Sequence, residues 1–391
     1  MHKERGERRV FLPEFVKLVA GLDVTVLLEE GYGAELGIPP REYEGSGLRI
    51  RFEDRRRVFA ADLVVVLRSP EREEFPLLQS GSCLLSMLHF PTRSWRVEEL
   101  SRSGVNAVSI DLLTDDLGRR VVENLRSVAW NALEAAFDVL ATTLPGLRPP
   151  GGGPVAVVVM GTGEVGRLAV DAAVKFGSLE RRQALMESAH PGAVCTSLGR
   201  TVTGNPDVMR TILSGCDILV DATYRTDSSR PVVPNAWLEW LPPHAVIADL
   251  AVDPYLPHDD PPVVRSIEGI PRGNLDHYVF APDDADWTTT IPAGVPTGNR
   301  RHVVSCYSWP GIHPRECMEH YGRQLFPVVR TLVSTGYHGV SAQGDSVERA
   351  INRATLSAYR SDSTPRESSF RTSSTGTGGD LRPERPVTPS E

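Results

Sequence analysis

A glycine-rich turn between a short apolar run and a helical pattern constrains this chain more than any other feature. Residues 155–159 are all apolar, the segment Gly161-Thr162-Gly163-Glu164-Val165-Gly166 follows them, and an amphipathic pattern comes next. In such a strand–turn–helix unit the first glycine allows the tight turn, the second leaves room for a pyrophosphate, and the third lets the helix pack on the strand. These six residues therefore predict a dinucleotide cradle, with a purely structural turn as the alternative.

Short apolar runs recur on both sides of this turn, separated by polar or helical segments. This pattern is typical of parallel strands that are buried on both faces. The runs are DVTVLL, ADLVVVL, SCLLSML and NAVSIDL before the turn, and VAVVVM, AVCTSL, CDILVDAT and AVIADLAVD from the turn onward. We therefore expect an α/β fold with two Rossmann-like domains, parallel sheets and a cleft between the domains.

A predicted amphipathic helix over residues 121–140 and a Pro/Gly-rich stretch over 144–154 separate the two sets of runs. A further helix is predicted from Arg167 to about Phe176. The C-terminal tail is rich in Ser, Thr, Pro, Gly and Arg, a composition that predicts disorder. The expected units are a substrate domain over 1–135 that is completed by about 300–360, a dinucleotide-binding domain over 136–300, and a disordered tail over 361–391.

Charge and composition exclude several classes of partner. The net charge of −8 argues against nucleic acid or an anionic membrane as a partner. No apolar run reaches membrane-spanning length and the N-terminus has no apolar signal core, so a cytoplasmic protein is expected. The five cysteines are scattered, and His313, His320 and His338 lack metal-ligand spacing, so no metal site is expected.

The residues after the other strands of the second half should complete the cofactor site, because the carboxyl ends of parallel strands face the cofactor crevice. The segment AVCTSL leads into Gly199 and Arg200 with no carboxylate to hold ribose hydroxyls. Ser197 and Arg200 could instead receive a 2′-phosphate, which favours NADP, although a surface arginine is an equally good interpretation. Further candidate cofactor contacts are Ala222, Thr223, Tyr224, Asp249, Leu250 and Asp253; capping of the next turn is the alternative for the two aspartates.

Several pieces of the chain, in the same order, resemble one known superfamily. ERRVFLPEFVKLV, ADLVVVLRSPEREEFPLL and SCLLSMLHFPTRSWRVEEL resemble alanine dehydrogenases and the related transhydrogenase domain. SWPGIHPRECMEHYGRQLFPVVRTL is similar to the closing segment of lysine-forming saccharopine dehydrogenases. The resemblance covers about residues 5–335. It implies an NAD(P)-dependent oxidoreductase that acts on the C–N bond of an amino acid or an opine-like secondary amine.

The resemblance also implies roles for individual residues. His89 matches the family's Leu-His position and is the candidate general acid/base, since an imidazole titrates near neutral pH. Arg68 stands where the family has lysine; an arginine stays charged, so we assign it to the grip on a substrate carboxylate. Arg9 matches an early carboxylate-binding arginine, with a solvated charge run as the alternative. Arg119 and Arg120, at the predicted start of the long helix, could reach a dicarboxylate at the cleft.

Two other functions stay open at this stage. One is an alanine-dehydrogenase-like amino acid dehydrogenase. The other is a nucleotide-sensing protein without catalysis, which Arg68 and the missing ribose-binding carboxylate would favour. The expected partner in each enzyme reading is a small amino acid or secondary amine, and a homo-oligomer is compatible with the sequence.

Overall fold

The structure, a computed structural model, describes residues 10–225, 227–258 and 261–363. Arg9 and most of the tail expected over 361–391 lie outside these residues. The strands are β1 (Val26–Glu29), β2 (Ile50–Glu53), β3 (Leu63–Arg68), β4 (Cys83–Met87), β5 (Asn106–Ser109), β6 (Val155–Met160), β7 (Ala193–Leu198), β8 (Ile218–Asp221), β9 (Val246–Asp249), β10 (Val279–Phe280) and β11 (His302–Ser305).

Helices connect most of these strands. They are α1 (Pro13–Ala20), α2 (Pro40–Tyr43), α3 (Arg55–Phe59), α4 (Ser94–Ser103), α5 (Leu125–Thr143), α6 (Glu164–Ala173), α7 (Leu179–Glu187), α8 (Arg200–Thr203), α9 (Pro206–Leu213), α10 (Asp286–Thr289), α11 (Pro314–Thr335), α12 (Ser346–Arg353) and α13 (Leu356–Ser363). None of the helices in the described residues combines the length and apolar character that a bilayer-spanning segment needs.

The strands of the first half form two small parallel sheets. One contains β1 and β2, and the other has the order β3-β4-β5. Parallel neighbours need a crossover connection, and helical segments between the strands supply it. The strands β3, β4 and β5 therefore end at one edge of their sheet, where Arg68 and the residues after Met87 and Ser109 come together.

The second half is one six-stranded sheet in the order β10-β11-β9-β8-β6-β7. Five strands are parallel and the two-residue β10 is antiparallel to β11. Val155, Val157 and Val159 of β6 are buried against α5 and α6, whereas Val158 and Met160 face the core on the other side of the sheet. The expected α/β architecture with parallel sheets is confirmed.

Two long helices begin at positions that differ from the sequence-based prediction. The helix expected from residue 121 begins at Leu125, because the Asn124 side chain caps it by accepting a hydrogen bond from the Ser127 N–H at 3.4 Å. The helix expected from Arg167 begins at Glu164, directly after Gly163. It ends at Ala173, three residues earlier than the predicted end at Phe176, whose φ is +58°.

The chain crosses between the halves at α5 and returns at α11. Helix α5 packs in the core of the six-stranded sheet, and α11 packs with α1 in the core of the first half. The chain was expected to rejoin the first domain from about residue 300. Strand β11, however, still pairs with β9 in the six-stranded sheet. The first element after residue 300 that joins the first half's core is therefore α11, from Pro314.

Candidate functional site

The glycines of the turn after β6 have three different surroundings. Gly161 has a φ of +111°, and a Cβ there would lie 2.3 Å from the Ala222 carbonyl oxygen. A Cβ on Gly166 would lie 2.1 Å from the Gly161 carbonyl oxygen, so α6 packs directly on the turn. A Cβ on Gly163 would meet nothing within 4 Å, so the space in front of the α6 N-terminus is open. This is the distribution of contacts that a pyrophosphate cradle requires.

A cleft of about 620 Å³ opens beside this turn. Its walls come from the carboxyl ends of three neighbouring strands. They include Gly161, Thr162 and Gly163 after β6, Leu198, Gly199 and Arg200 after β7, and Ala222, Thr223, Tyr224 and Arg225 after β8. Glu164 and Val165 lie in the first turn of α6, and Ser197 is an exposed β7 residue outside the walls of the cleft.

Arg200 and Arg225 line the cleft where a ribose-binding carboxylate was sought, and the Arg225 side chain is buried. The Arg200 guanidinium donates a hydrogen bond to the Tyr224 carbonyl at 2.9 Å, which holds it across the cleft floor. Arg225 forms an ion pair with Asp253 at 2.6 Å. Arg230 and Asp227 also line this end of the cleft. Three guanidinium groups and two carboxylates therefore lie at this end of the cleft, with Arg225 and Asp253 paired with each other.

Asp249 and Leu250 do not face the cleft, contrary to their expected role as cofactor contacts. Both are buried, with Asp249 only 2 % exposed. The Asp249 carboxylate accepts hydrogen bonds from the Ser305 hydroxyl at 2.7 Å and from the Val252 N–H at 2.9 Å. The last residue of β9 points into the protein here, and its oxygens are already occupied. Asp253, four residues later, stays partly exposed beside Arg225.

A buried charged cluster supports the ends of β8, β9 and β11. Arg265 is 2 % exposed and lies 3.1 Å from the Asp249 carboxylate. Burial, together with the charge of Asp249, raises the pKa of Asp221 to about 7, although hydrogen bonds from Thr223 oppose this change. The buried Arg265 guanidinium thus compensates the charge of Asp249. Repulsion from Asp249 favours the protonated form of Asp221.

His89 lies directly beyond β4, at the carboxyl edge of the three-stranded sheet. Its backbone is left-handed, with φ +51° and ψ +48°, a conformation that non-glycine residues seldom adopt. The His89 N–H donates to Asp111 Oδ1 at 3.1 Å, and its Nδ1 lies 3.3 Å from Asp111 Oδ2. The side chain itself is 52 % exposed. One carboxylate therefore contacts both the backbone N–H and the ring of His89.

Asp111 is ionised at neutral pH despite its burial. Burial alone would raise the pKa of this carboxyl, but the hydrogen bonds and charge of His89 and the hydroxyl of Ser109 lower it to about 2. The Ser109 hydroxyl donates to Asp111 Oδ1 at 2.7 Å and accepts from the Leu88 N–H at 3.2 Å. The negative charge assigns the proton of the neutral imidazole to Nδ1, so Nε2 presents a lone pair.

Arg68 lies at the end of β3 and reaches the second half of the molecule. Its guanidinium carbon lies 5.3 Å from the centre of the Tyr307 ring, two residues beyond β11. Arg96 of α4 donates to the Leu88 carbonyl at 2.9 Å and so lies beside the strand end that carries His89. The structure thus brings together Arg68, His89 and the carboxyl edge of the six-stranded sheet.

Other candidate residues lie elsewhere. Arg119 is in the turn before α5, with its guanidinium 74 % exposed and paired with Asp115, so it does not open the helix as expected. Arg120 forms an isolated bridge with Thr114 in the same turn. A cluster that the sequence did not indicate joins His277, Asp284 and Asp286, with their ligand atoms within 4.8 Å of one another. Its imidazole nitrogens each face a different aspartate.

Two partners of the site, Asp111 and Tyr307, escaped the sequence-based prediction. They follow β5 and β11, strands that are far apart in the chain, and neither lies in a recognisable motif. The available signal was positional: both come directly after a strand of a parallel sheet, where functional groups concentrate.

Comparisons with known proteins agree with this architecture. Residues 2–132 match the family model "Alanine dehydrogenase/PNT, N-terminal domain". The chain is similar to the alanine dehydrogenase of Halomonas elongata, at 24 % identity over 269 residues that cover 64 % of this chain and 70 % of that protein. It is also similar to the NAD(P) transhydrogenase subunit alpha of Cereibacter sphaeroides, at 27 % identity over 44 % of this chain and 35 % of that protein.

Solved structures show the same fold. An L-alanine dehydrogenase superposes with a TM-score of 0.66 at 20 % identity, covering 90 % of this chain and 93 % of the other. The expected closeness to saccharopine dehydrogenases is not confirmed, and the curated relatives favour the alanine-dehydrogenase-like alternative. The chain is thus similar to alanine dehydrogenases and to the alpha subunit of an NAD(P) transhydrogenase, and the match to the family model covers its residues 2–132.

Proposed function

We propose that the protein is an NAD(P)-dependent dehydrogenase that oxidises the CH–NH₂ group of an amino acid and catalyses the reverse reductive amination. The observation that carries this proposal is the pair formed by exposed His89 and ionised Asp111, at the strand edge where Arg68 reaches the nucleotide-binding half. The alanine dehydrogenases among the relatives support the same reaction class. An opine-like secondary amine is the wider substrate class that the experiment below includes.

The residues around the glycine turn fit a dinucleotide. The open space before the α6 N-terminus suits a pyrophosphate, and its backbone N–H groups would donate to it. The walls formed by Gly199, Arg200 and Tyr224 would hold the adenosine end. When bound, the nicotinamide supplies the hydride acceptor or donor at the reacting carbon.

The chain's own residues then handle carboxylate and protons. Arg68 would hold the substrate carboxylate with two parallel hydrogen bonds, which fixes the amino-bearing carbon in the cleft. Oxidation of an amino acid and hydrolysis of the imine consume water and release ammonium and a proton. His89 Nε2 would accept that proton, and the Asp111 carboxylate would stabilise the resulting imidazolium. In the reductive direction the same group returns the proton.

Turnover assays test the proposal. The full chain should reduce NAD(P)⁺ with at least one amino acid or secondary amine, and oxidise NAD(P)H with the matching 2-oxo acid and amine. Gly163→Asp should fold yet lose both activities, because a carboxylate would stand in the pyrophosphate position. Nucleotide binding by the parent without turnover of any substrate in the panel would contradict the dehydrogenase proposal and leave a nucleotide sensor.

Arg200 favours NADP(H) over NAD(H) as the cofactor of the proposed dehydrogenase. It lines the cleft at the end of β7, and no carboxylate follows that strand to hold a ribose 2′-hydroxyl. Arg200→Ala should weaken NADPH binding about tenfold or more while leaving NADH binding nearly unchanged, as fluorescence titration can measure. Arg182, an exposed arginine on α7, offers a control substitution to Ala. Equal losses for both cofactors, or a parent that prefers NADH, would overturn this preference.

A further inference from the structure

A second large cavity lies in the first half of the molecule, away from the nucleotide cleft. Its volume of about 940 Å³ is within the range of small-molecule sites. The first residues of four strands line it: Val26 of β1, Leu63 of β3, Cys83 of β4 and Asn106 of β5. The amino ends of these parallel strands therefore border the cavity, whereas His89 follows the carboxyl end of β4.

The cavity opens where the two sheets of the first half separate. Strand β1 belongs to one sheet and β3 to the other, and both contribute to the walls. Arg68 ends β3 five residues after Leu63, which corresponds to about 16 Å along an extended strand. The cavity and the candidate catalytic groups thus lie at opposite edges of the three-stranded sheet, and a ligand in the cavity would not meet Arg68.

The buried wall of the cavity is aliphatic. Val329 and Leu332 of α11 line it together with Val26 and Val65, and all four side chains are buried. Val333, on the same helix, lines it from a half-buried position. Contact with an aliphatic or aromatic ligand group would remove this apolar surface from water, which favours binding.

The more open wall carries charges of both signs. Its charged side chains include Arg51 and Glu53 of β2, Arg57 of α3, and Asp62 before β3. Arg49 in the same wall forms an ion pair with Asp23 at 2.7 Å. Within the described part of the chain, the first four side chains take part in no ion pair. Two cations and two anions are therefore available to a ligand at the mouth of the cavity.

This combination of walls matches the chemistry of a zwitterion with an apolar side chain. A guanidinium binds a carboxylate through parallel hydrogen bonds, and a protein carboxylate accepts hydrogen bonds from an ammonium group. A ligand with only one charge would satisfy one pair of side chains and place its charge near the like-charged pair, which disfavours binding.

We propose that this cavity binds an amino acid with an aliphatic or aromatic side chain, at a site separate from the catalytic cleft. Arg51 and Arg57 face the carboxylate of the ligand, Glu53 and Asp62 face its ammonium group, and the aliphatic wall contacts its side chain. The inference does not depend on the proposed dehydrogenase function, because binding is measured without nucleotide or turnover.

A ligand series removes one recognised feature at a time. Leucine, phenylalanine, glycine, leucinamide and 4-methylpentanoate are titrated into the full-length protein by calorimetry. Glycine should bind about tenfold or more weakly than leucine, because it lacks the apolar group. Leucinamide and 4-methylpentanoate should bind about fivefold or more weakly, because each lacks one charge. No binding of leucine or phenylalanine, or equal affinity for leucine and 4-methylpentanoate, overturns the inference.

Substitutions locate the ligand. Arg57→Gln and Asp62→Asn should each weaken leucine binding about fivefold or more, and Arg57→Lys should recover part of the loss. Arg41→Gln, at an exposed arginine of α2 outside the cavity walls, is the control. Arg68→Ala, at the opposite edge of the sheet, should also keep the parental Kd. Binding that is lost in Arg68→Ala and unchanged in Arg57→Gln and Asp62→Asn would place the ligand in the catalytic cleft and overturn the inference.

Discussion

At the scale of single residues, the candidate acid/base group His89 is oriented by a short chain of hydrogen-bonded neighbours. His89 is exposed, but both its N–H and its ring Nδ1 are fixed by one buried carboxylate. Asp111 in turn is kept ionised by His89 and Ser109. Such a chain of contacts orients an acid/base group and stabilises its protonated form without itself meeting the substrate. In the proposed mechanism, Asp111 is therefore a positioning residue.

Substitution of Asp111 should change the pH dependence of catalysis more than substrate binding. Asp111→Asn keeps a hydrogen-bond acceptor but removes the charge that stabilises the imidazolium. The limb of the kcat profile that reports protonation of His89 should move to lower pH, kcat should fall about tenfold or more, and KM should stay within about twofold. The measurement is a kcat–pH profile of both proteins.

Asp115→Asn provides the matched control, because Asp115 is an exposed partner of Arg119. Its profile should coincide with that of the parent. An Asp111→Asn enzyme with the parental profile would show that His89 is not the group that transfers the proton.

The buried Asp221 predicts a pH dependence of stability. Its pKa is raised to about 7 in the folded protein by burial and by Asp249, against about 3.9 in an unfolded chain. Between these values the folded state binds a proton that the unfolded state has released, so the free energy of unfolding decreases as pH rises from about 4 to about 7. Asp221→Asn cannot titrate and should flatten this part of the Tm–pH curve.

Thermal unfolding at pH 5 to 8 measures the effect. Asp207→Asn, at an exposed position of α9, should retain the parental slope. If Asp221→Asn shows that slope as well, the titrating group lies elsewhere.

At the scale of secondary-structure elements, different glycines of the β6–turn–α6 unit are expected to serve folding and nucleotide binding. Gly166 has no room for a Cβ because of the Gly161 carbonyl, whereas Gly163 has open space and a φ of −71° that any residue can adopt. Gly166→Ala should therefore lower Tm by several degrees. Gly163→Ala should leave Tm nearly unchanged and weaken NAD(P)H binding, because the methyl group points into the cleft.

The two alanine variants act as controls for each other. Differential scanning fluorimetry without nucleotide gives Tm, and a fluorescence titration gives the Kd for NAD(P)H. Should Gly163→Ala bind the nucleotide as tightly as the parent, the space in front of α6 would not be the pyrophosphate site.

Elements with strong apolar character were predictable from the sequence, and weak ones were not. The runs that became β3, β4 and β6 are continuous apolar segments buried on both faces. Strand β2, Ile50–Glu53, alternates apolar and charged residues in only four positions and was missed. Strand β11 was missed because it is equally short and follows a polar stretch, yet it brings Tyr307 to the site.

Only part of the candidate site could be predicted from the sequence. His89 and Arg68 were found because each closes an apolar strand within a segment that resembles the family. Asp111 and Tyr307 follow other strands, and only the folded sheets bring them to His89 and Arg68. Asp249 was assigned to the cofactor because it ends a strand, but the sequence cannot show which face of the sheet its side chain takes.

At the scale of the whole molecule, neither half contains a complete site. The first half supplies His89 and Arg68, and the second supplies the glycine turn and Tyr307. A contact between the halves is the Arg68 guanidinium over the Tyr307 ring, at 5.3 Å from the ring centre. In the proposed mechanism, proton transfer by His89 and carboxylate binding by Arg68 must therefore be positioned relative to a nucleotide held by the other half.

The proposed roles predict that His89 and Arg68 affect different kinetic constants. His89→Ala removes the group that exchanges a proton, so kcat should fall about 10²–10⁴-fold and its pH dependence near neutrality should disappear. Arg68→Ala should mainly raise KM for the carboxylate substrate, and Arg68→Lys should restore part of the affinity, because a lysine keeps the charge but loses the two-pronged geometry. Arg102→Ala, at a 74 % exposed arginine of α4 paired with Glu99, should match the parent in both constants. Steady-state kinetics across pH 6 to 9 distinguish these outcomes. An Arg68→Ala enzyme with a normal KM, or a His89→Ala enzyme with the parental pH profile, would require a different residue in the corresponding role.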